Sequence, residues 1–150
     1  RAFYSEENET FGEAKERNED VEIRLDLDKM WDALHFVLTG VSSSKPIKNN
    51  PFSEAVVGVS FIEGVEEFIS YTEKSRIKDI VFALDHFDIE KVMENFSMKE
   101  CKQANIYPDI WTYEEETDEI KEELMDYFQN LKDFYKKILE VNGNVMVTIC

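Results

Sequence analysis

The chain has 150 residues, of which 43% are hydrophobic and 13% aromatic, so it has enough apolar side chains for a core and is not an intrinsically disordered protein. Its 33 acidic and 17 basic side chains give a formal net charge of -16, which disfavours nucleic acid and anionic membrane surfaces as direct partners. No apolar run approaches the ~20 residues that span a bilayer, and the N-terminal segment is charged rather than an apolar signal, so we expect a cytoplasmic protein.

Residues 1–22 form an acidic lead-in in which Glu, Asn, Lys and Arg predominate. This composition is typical of an exposed helix or a poorly ordered segment. Because the chain begins at Arg1 rather than Met, we also interpret the lead-in as truncated. Val21, Ile23, Leu25 and Leu27 then alternate with charged residues, which predicts a half-buried strand, although an extended approach to the next helix would give the same pattern.

A helix is predicted from Asp28 to Thr39. Its apolar residues recur at helical spacing and define one stripe: Met30, Trp31, Leu34, Val37 and Leu38. Asp28 or Asp26 can cap its start, and Gly40 can end it. We expect Trp31 to anchor the core, because it lies on this stripe.

The middle of the chain predicts a loop followed by two strands. Ser42 to Pro51 contains three serines, two prolines and an Asn-Asn pair, which is typical of a loop. Ala55 to Phe61 is short and rich in β-branched and aromatic residues, which favours a buried strand. A second strand is predicted from Glu67 to Tyr71.

Three short helices are predicted after these strands. The first has apolar residues at helical spacing from Ile77 to Leu84, and Thr72 is placed to cap its start. Asp88 begins the second. Ser97 and Glu100 have the spacing of a capping box, which predicts the third, and the chain then turns at Tyr107-Pro108.

The longest periodic segment runs from about Thr117 to Val141. Its apolar face is formed by Ile120, Leu124, Tyr127, Phe128, Leu131, Phe134, Tyr135, Ile138 and Leu139. Asn142-Gly143-Asn144 breaks the helix, and Val145 to Ile149 is predicted to be a closing strand. These elements indicate the α+β class: one compact domain over residues 1–150, with helices packed on a small mixed β-sheet.

His35 is the candidate catalytic residue. It lies on a helix with Asp32 three residues before it and Asp28 seven residues before it. A histidine oriented by a carboxylate can act as a general base near neutral pH. The favoured interpretation is a hydrogen-bonded core histidine, because His35 shares a stripe with Trp31 and Leu38.

No metal site or other cofactor is predicted. Two histidines and two cysteines occur, none at the spacing of a zinc or iron site. The carboxylates from Glu114 to Glu119 lack the ligand pattern of an EF-hand, and a solvated helix start explains them better. Ser42 and Lys45 have the spacing of a serine acyl-enzyme motif, but Gly40 and Pro46 flank them, so no helix is expected to bring them together.

Three segments resemble one bacterial family. Leu25 to Gly40 reads L-D-L-D-K-M-W-D-A-L-H-F-V-L-T-G, which is similar to the pattern L-D-[IL]-D-K-x-W-x-x-[LI]-H-F-x-L-T-G of the YfbM-like family, domain of unknown function 1877. Pro51 to Gly58 resembles its P-L-S-x-A-V-x-G strand, and Asn105 to Pro108 its x-I-Y-P turn. Members commonly begin with a short apolar strand, which the charged start of this chain suggests is missing or altered.

The resemblance implies a compact α+β fold in a bacterial cytoplasm and brings no established activity. Trp31, His35, Thr39 and Tyr107 are shared with the pattern. They are predicted either to form a polar-aromatic knot in the core or to line a small-molecule pocket, and these four are the candidate binding residues.

Two hypotheses about function follow. The first is a non-catalytic binding domain, immunity-type or regulatory, whose acidic surface meets a basic protein partner. For the charge taken alone, the favoured interpretation is a solvated shell that keeps the protein soluble, and a DNA-mimicking surface that blocks a basic partner is a further alternative. Neither nucleic acid nor membrane is expected as a partner, and the oligomeric state is left open. The alternative is a small hydrolase or transferase with a pocket around His35, Trp31 and Tyr107.

Overall fold

The sheet unites the two ends of the chain. A computed structural model describes residues 2–6, 23–61 and 68–149. Its strands are β1 (Ala2–Glu6), β2 (Arg24–Asp26), β3 (Ser60–Phe61), β4 (Phe68–Thr72) and β5 (Asn144–Ile149). They lie in the order β2-β1-β5-β4-β3, and the pairings between these described strands are all antiparallel. The α+β class and the small sheet are confirmed. The prediction of a mixed sheet is wrong, because the described strands form antiparallel pairs.

Strand β1 occupies the position that the resemblance suggested was missing or altered. It pairs with β5 from Ala2 opposite Thr148 to Glu6 opposite Asn144. On its other edge it pairs with β2, which lies within the predicted Val21 to Leu27 strand. The first strand is therefore present, and its sequence Ala-Phe-Tyr-Ser-Glu contains a single charged residue. The prediction for residues 7–22 lies outside the described residues.

The helices cover the core. They are α1 (Trp31–Thr39), α2 (Pro51–Val57), α3 (Lys74–Asp85), α4 (Ile89–Glu94), α5 (Met98–Gln103) and α6 (Thr117–Val141). Helix α6 has the predicted bounds and packs against α1, α3, α4 and β2. Its predicted face is buried except at two positions: Tyr127 is half-buried and Leu139 is 40% exposed.

The strand predicted from Ala55 to Phe61 is wrong, because most of that segment is helical. The side chain of Asn50 accepts hydrogen bonds from the backbone N–H groups of Phe52 and Ser53, at 2.9 and 3.2 Å. Pro51 occupies the first turn, where its missing N–H costs nothing, and Gly58 ends the helix. These capping signals outweigh the β-branched side chains, and only Ser60–Phe61 remains as strand.

Two predicted caps are also wrong. Helix α1 has Met30 at its N-cap with no side-chain hydrogen bond, while Asp26 Oδ1 accepts from the N–H of Asp28 within the preceding turn. Thr72 ends β4, fully buried, with no hydrogen-bond partner for its hydroxyl among the described residues. The N–H of Lys74 donates instead to Oδ1 of Asn144, at 2.7 Å, so β5 caps α3.

The remaining end signals are confirmed. Asp88 accepts from the N–H of Lys91, and Ser97 accepts from the N–H of Glu100. Gly40 ends α1 in the left-handed conformation. The predicted strands at Glu67 to Tyr71 and Val145 to Ile149 correspond to β4 and β5.

The tryptophan in the core is Trp111 rather than Trp31. Trp111 is 3% exposed and its indole Nε1 donates to the carbonyl of Ile106 at 2.8 Å. Trp31 is half-buried, because it is the first residue of α1 and lies where the core meets the surface. Within the part of the chain that the structure describes, no helix is long and apolar enough to cross a membrane.

Candidate functional site

His35 lies in the core with both ring nitrogens engaged. Its side chain is 0% exposed, Nδ1 lies 2.8 Å from the carbonyl oxygen of Val41, and Nε2 lies 2.8 Å from Oγ of Ser53. A carbonyl can only accept, so Nδ1 carries the proton and donates, and Nε2 accepts from the hydroxyl of Ser53. Ser53 Oγ in turn accepts from the N–H of Ile47, at 3.0 Å.

The contact between Ser53 and His35 has the distance of a nucleophile and its base. Such a pair needs a substrate carbonyl within about 3 Å of the serine oxygen. Ser53 is 1% exposed and His35 is 0% exposed, so neither side chain is open to a substrate. The arrangement holds three segments together and gives no support to His35 as a general base.

Asp32 connects the helix to two loops. This side chain is 6% exposed. Its Oδ1 accepts from the N–H and the hydroxyl of Ser43, at 2.7 and 2.8 Å, and from the hydroxyl of Ser42, at 3.0 Å. Its Oδ2 accepts from the N–H of Tyr107, at 2.9 Å. These four hydrogen bonds replace the water that burial removes, so the carboxylate fixes the positions of both loops.

Outside this carboxylate lies an aromatic pair formed by Trp31 and Tyr107. Their ring centroids are 4.9 Å apart and their planes are inclined by 35°. Tyr107 is 45% exposed, and it precedes Pro108 in the turn that Asp32 holds. The pair therefore presents an oriented aromatic surface to solvent.

The predicted site residues fall into two layers. His35 and Thr39 form the inner layer, in which the hydroxyl of Thr39 donates to the carbonyl of His35 at 2.8 Å. Trp31 and Tyr107 form the outer layer, with Asp32 between the two. Asp28, the other catalytic candidate, is exposed in the turn before α1. The described contacts pair His35 with Thr39 and Trp31 with Tyr107, and one knot or pocket formed by all four residues stays a prediction.

An acidic strip runs along the start of the longest helix. It consists of eight exposed carboxylates within 13 residues, separated by the single basic residue Lys121: Glu114, Glu115, Glu116, Asp118, Glu119, Glu122, Glu123 and Asp126. Tyr113 precedes the strip and is 50% exposed. The strip itself consists of carboxylates and therefore presents a dense negative charge.

The loop between β2 and α1 extends this negative surface. Helix α6 packs against β2. Burial raises the pKa of Tyr127, and the charges of Glu123, Asp28 and Asp26 raise it further. Carboxylates from the loop and from the helix thus act on the same phenol, which brings Asp26 and Asp28 to the edge of the acidic strip.

Other buried ionisable groups have structural roles. Glu54 is 5% exposed and accepts two hydrogen bonds from the guanidinium of Arg76, which joins α2 to α3 and raises the pKa of Arg76. Burial raises the pKa of the Cys101 thiol to about 12, so it is not a nucleophile at neutral pH. Among the described residues, no three His, Cys, Asp or Glu side chains come together as metal ligands.

Ser42, Ser43 and Ser53 are the site residues that the sequence did not reveal. Ser42 and Ser43 bind Asp32 through hydroxyls that lie in a predicted loop, and Ser53 lies in the segment predicted as a strand. Two signals were available: the dismissed Ser42-to-Lys45 motif, and the match of Ser53 to the serine of the P-L-S-x-A-V-x-G pattern. Ser42 and Lys45 indeed lie in a turn, in which the N–H of Lys45 donates to the carbonyl of Ser42 at 3.0 Å.

Comparisons with known proteins agree on the family and the fold. The model of a family described as a domain of unknown function, DUF1877, matches residues 2–148. Protein YfbM of Escherichia coli K12 is 34% identical over 127 residues, which are 84% of this chain and 75% of that protein. The crystal structure of Escherichia coli YfbM, a protein of unknown function, matches with a TM-score of 0.80 at 28% identity, covering 99% of this chain and 98% of that one.

Proposed function

The chain belongs to the DUF1877 family, and from that premise we propose that it is a non-catalytic binding domain whose acidic strip meets a basic protein partner. The observation that carries this proposal is the exposure of eight carboxylates within 13 residues. A surface of this charge attracts a cationic protein and accelerates its association.

The strip is unfavourable for the isolated helix, which is why a partner is a better explanation than solubility alone. Three pairs of carboxylates lie four residues apart in α6: Asp118 and Glu122, Glu119 and Glu123, and Glu122 and Asp126. Each such pair destabilises a helix by about 0.2 to 0.5 kcal/mol. The helix dipole favours acidic residues only in the first turn, so it does not offset the repulsion among Glu122, Glu123 and Asp126. Lysine or arginine side chains of a partner would relieve this repulsion.

The loop carboxylates widen the surface. Strand β2, which ends at Asp26, packs against α6, and the charges of Asp26, Asp28 and Glu123 all raise the pKa of Tyr127. A partner that covered the strip would therefore also meet the turn before α1. This gives the surface enough width to distinguish one basic protein from another by the spacing of its charges.

The hydrolase or transferase alternative receives no comparable support. It requires His35 to face a pocket, and both ring nitrogens of His35 lie in hydrogen bonds to Val41 and Ser53 inside the core. We place the binding function in the cytoplasm, in an immunity-type or regulatory role. The buried, unpaired thiol of Cys101 is compatible with a reducing compartment.

Affinity capture with two matched variants tests the proposal. The strip variant carries Glu119→Gln, Glu122→Gln and Glu123→Gln. The control variant carries Glu90→Gln, Glu94→Gln and Glu140→Gln, which removes the same charge from exposed positions on α4 and the end of α6. The immobilised parent and both variants are incubated with lysate of the source organism at low and high salt.

We expect the parent and the control variant to capture the same basic protein at low salt and to release it at high salt. The strip variant should capture much less of it, because the charges that attract it are gone. Capture of no salt-sensitive protein, or equal capture by the strip variant, would overturn the proposal.

A further inference from the structure

We propose that Tyr107, supported by Trp31, is a contact site for an arginine side chain of the basic partner. This inference rests on the proposed function and names the chemistry of one contact. The ring of Tyr107 is 45% exposed, and the ring of Trp31 packs against it at 4.9 Å. A guanidinium plane stacks on an aromatic face, which a compact ammonium group does less well.

A buried carboxylate fixes the backbone that carries this ring. The backbone of Tyr107 is tied to Oδ2 of Asp32, while Oδ1 of Asp32 holds Ser42 and Ser43. Burial of a carboxylate is unfavourable unless hydrogen bonds replace its water. Here those hydrogen bonds fix the backbone of Tyr107, and its exposed ring packs on Trp31, so the ring loses little conformational freedom when a ligand stacks on it.

The exposed charged residues in the turns beside the pair are two carboxylates, Asp28 and Asp109, and one lysine, Lys29, so their net charge is negative and favours a cationic occupant. Asp109 is exposed two residues after Tyr107 in the same turn. Asp28 is exposed three residues before Trp31, and the N–H of Met30 donates to the carbonyl of Leu27 at 3.0 Å, which keeps this turn compact. Since consecutive Cα atoms are about 3.8 Å apart, the Cα atoms of Asp28 and Trp31 are separated by at most about 11 Å.

An arginine has two advantages at this position. Its guanidinium can stack on the phenol ring and still donate to a carboxylate in its plane. Its aliphatic stem can pack on the apolar edge of the aromatic pair. Tyr113 has a ring of similar exposure, at 50%. Unlike Tyr107, it has no described contact between its ring and another aromatic ring.

Peptide binding tests this inference. The probe is a short capped peptide of alternating glycine and arginine, and its control has neutral citrulline in place of each arginine. Binding is measured by calorimetry for the parent, Tyr107→Leu, Tyr107→Phe and the matched control Tyr113→Leu. Circular dichroism and thermal melts confirm that each variant is folded.

The parent and Tyr107→Phe should bind the arginine peptide and not the citrulline peptide. Tyr107→Leu should weaken binding about threefold to thirtyfold, as expected for the loss of one cation–π contact, while Tyr113→Leu should bind like the parent. Equal affinity of Tyr107→Leu and the parent, or an equal loss in Tyr113→Leu, would overturn the inference.

The two proposals fail in different ways. If the strip variant loses binding of the arginine peptide and Tyr107→Leu keeps it, the acidic surface remains the binding surface and only the arginine contact is wrong. If the parent binds the arginine peptide no better than the strip variant does, the proposed function is wrong as well.

Discussion

Gly40 and Gly58 both have a positive φ angle, but their ψ angles and their surroundings differ: ψ is 4° at Gly40 and 179° at Gly58. Their φ angles are +84° and +80°. A Cβ on Gly58 would lie 2.2 Å from Oγ of Ser70, whose hydroxyl donates to the carbonyl of Val57, whereas a Cβ on Gly40 would meet nothing within 4 Å. Gly40→Ala carries the cost of a left-handed residue, about 1 to 2 kcal/mol. Gly58→Ala forces alanine into a backbone region that essentially only glycine adopts, and it adds a steric clash.

We therefore expect Gly58→Ala to lower the free energy of unfolding by clearly more than Gly40→Ala does. Urea melts of the two variants beside the parent measure the difference directly. Equal losses of unfolding free energy in the two variants would mean that Gly58 does not lie as close to Ser70 as described.

Replacing Trp111 should destabilise the protein more than replacing Trp31, although the sequence predicted Trp31 as the core anchor. Trp111 is 3% exposed and its indole nitrogen is hydrogen-bonded, so Trp111→Ala should cost about 3 to 5 kcal/mol. Trp31 is half-buried, so Trp31→Ala should cost about 1 to 2 kcal/mol. Denaturant melts give both values. A Trp31→Ala variant less stable than Trp111→Ala would restore Trp31 as the core anchor.

The thiol of Cys101 gives a prediction about pH. Burial raises its pKa from 9.0 to about 12, and the charges of Glu100 and Asp32 add to the effect. The unfolded chain then releases the thiol proton at a lower pH than the folded protein does. Its contribution to stability is therefore complete below pH 9 and decreases at higher pH, by about 1.4 kcal/mol for each pH unit.

Urea melts at several alkaline pH values measure this decrease, with Cys101→Ala as the control. The parent should lose stability above pH 9 more steeply than the variant, because only the parent has this thiol. Parallel pH profiles of the two proteins would show that burial does not suppress ionisation of Cys101.

At the scale of elements, helix α2 depends on its cap. Asn50 accepts from two backbone N–H groups, and the segment that follows contains β-branched residues with weak helix propensity. Asn50→Ala should lower the free energy of unfolding by about 0.5 to 2 kcal/mol. Asn130→Ala, in the exposed face of α6, is the matched control and should cost nothing. Equal stability of both variants would contradict the capping role of Asn50.

The long helix α6 was predictable because 25 residues repeat one apolar stripe, whereas α2 was not. In α2 the local preference for strand competes with Asn50, Pro51 and Gly58 as helix ends, and only the packed structure decides between them. The directions of the strands were not predictable either, because they depend on where each connection returns to the sheet.

The candidate site was predictable only in its inner layer. His35 and Thr39 are four residues apart on one helix, so their contact follows from local geometry. The contact of Asp32 with Tyr107 spans 75 residues, and nothing in the spacing of the chain indicates it. Trp31 shares its stripe with His35 but begins the helix, which places it at the margin of the core.

At the scale of the whole molecule, the net charge of -16 is unevenly distributed. The segment from Glu114 to Asp126 contributes -7 of it, from eight acidic residues and one basic residue. Elsewhere, acidic and basic side chains form ion pairs, such as Asp85 with Lys136 at 2.9 Å. A charge this concentrated on one helix directs a basic partner to one face of the protein.

The central claim is that this face is the binding surface, and carbodiimide cross-linking in lysate tests it most directly. The reagent joins a carboxylate to a lysine amine in contact with it, and mass spectrometry identifies the residues joined. We predict cross-links from the acidic strip between Glu114 and Asp126 to lysines of one basic protein. Cross-links confined to carboxylates elsewhere, such as Glu73, Glu90 and Glu140, with the strip uncoupled, would contradict the account.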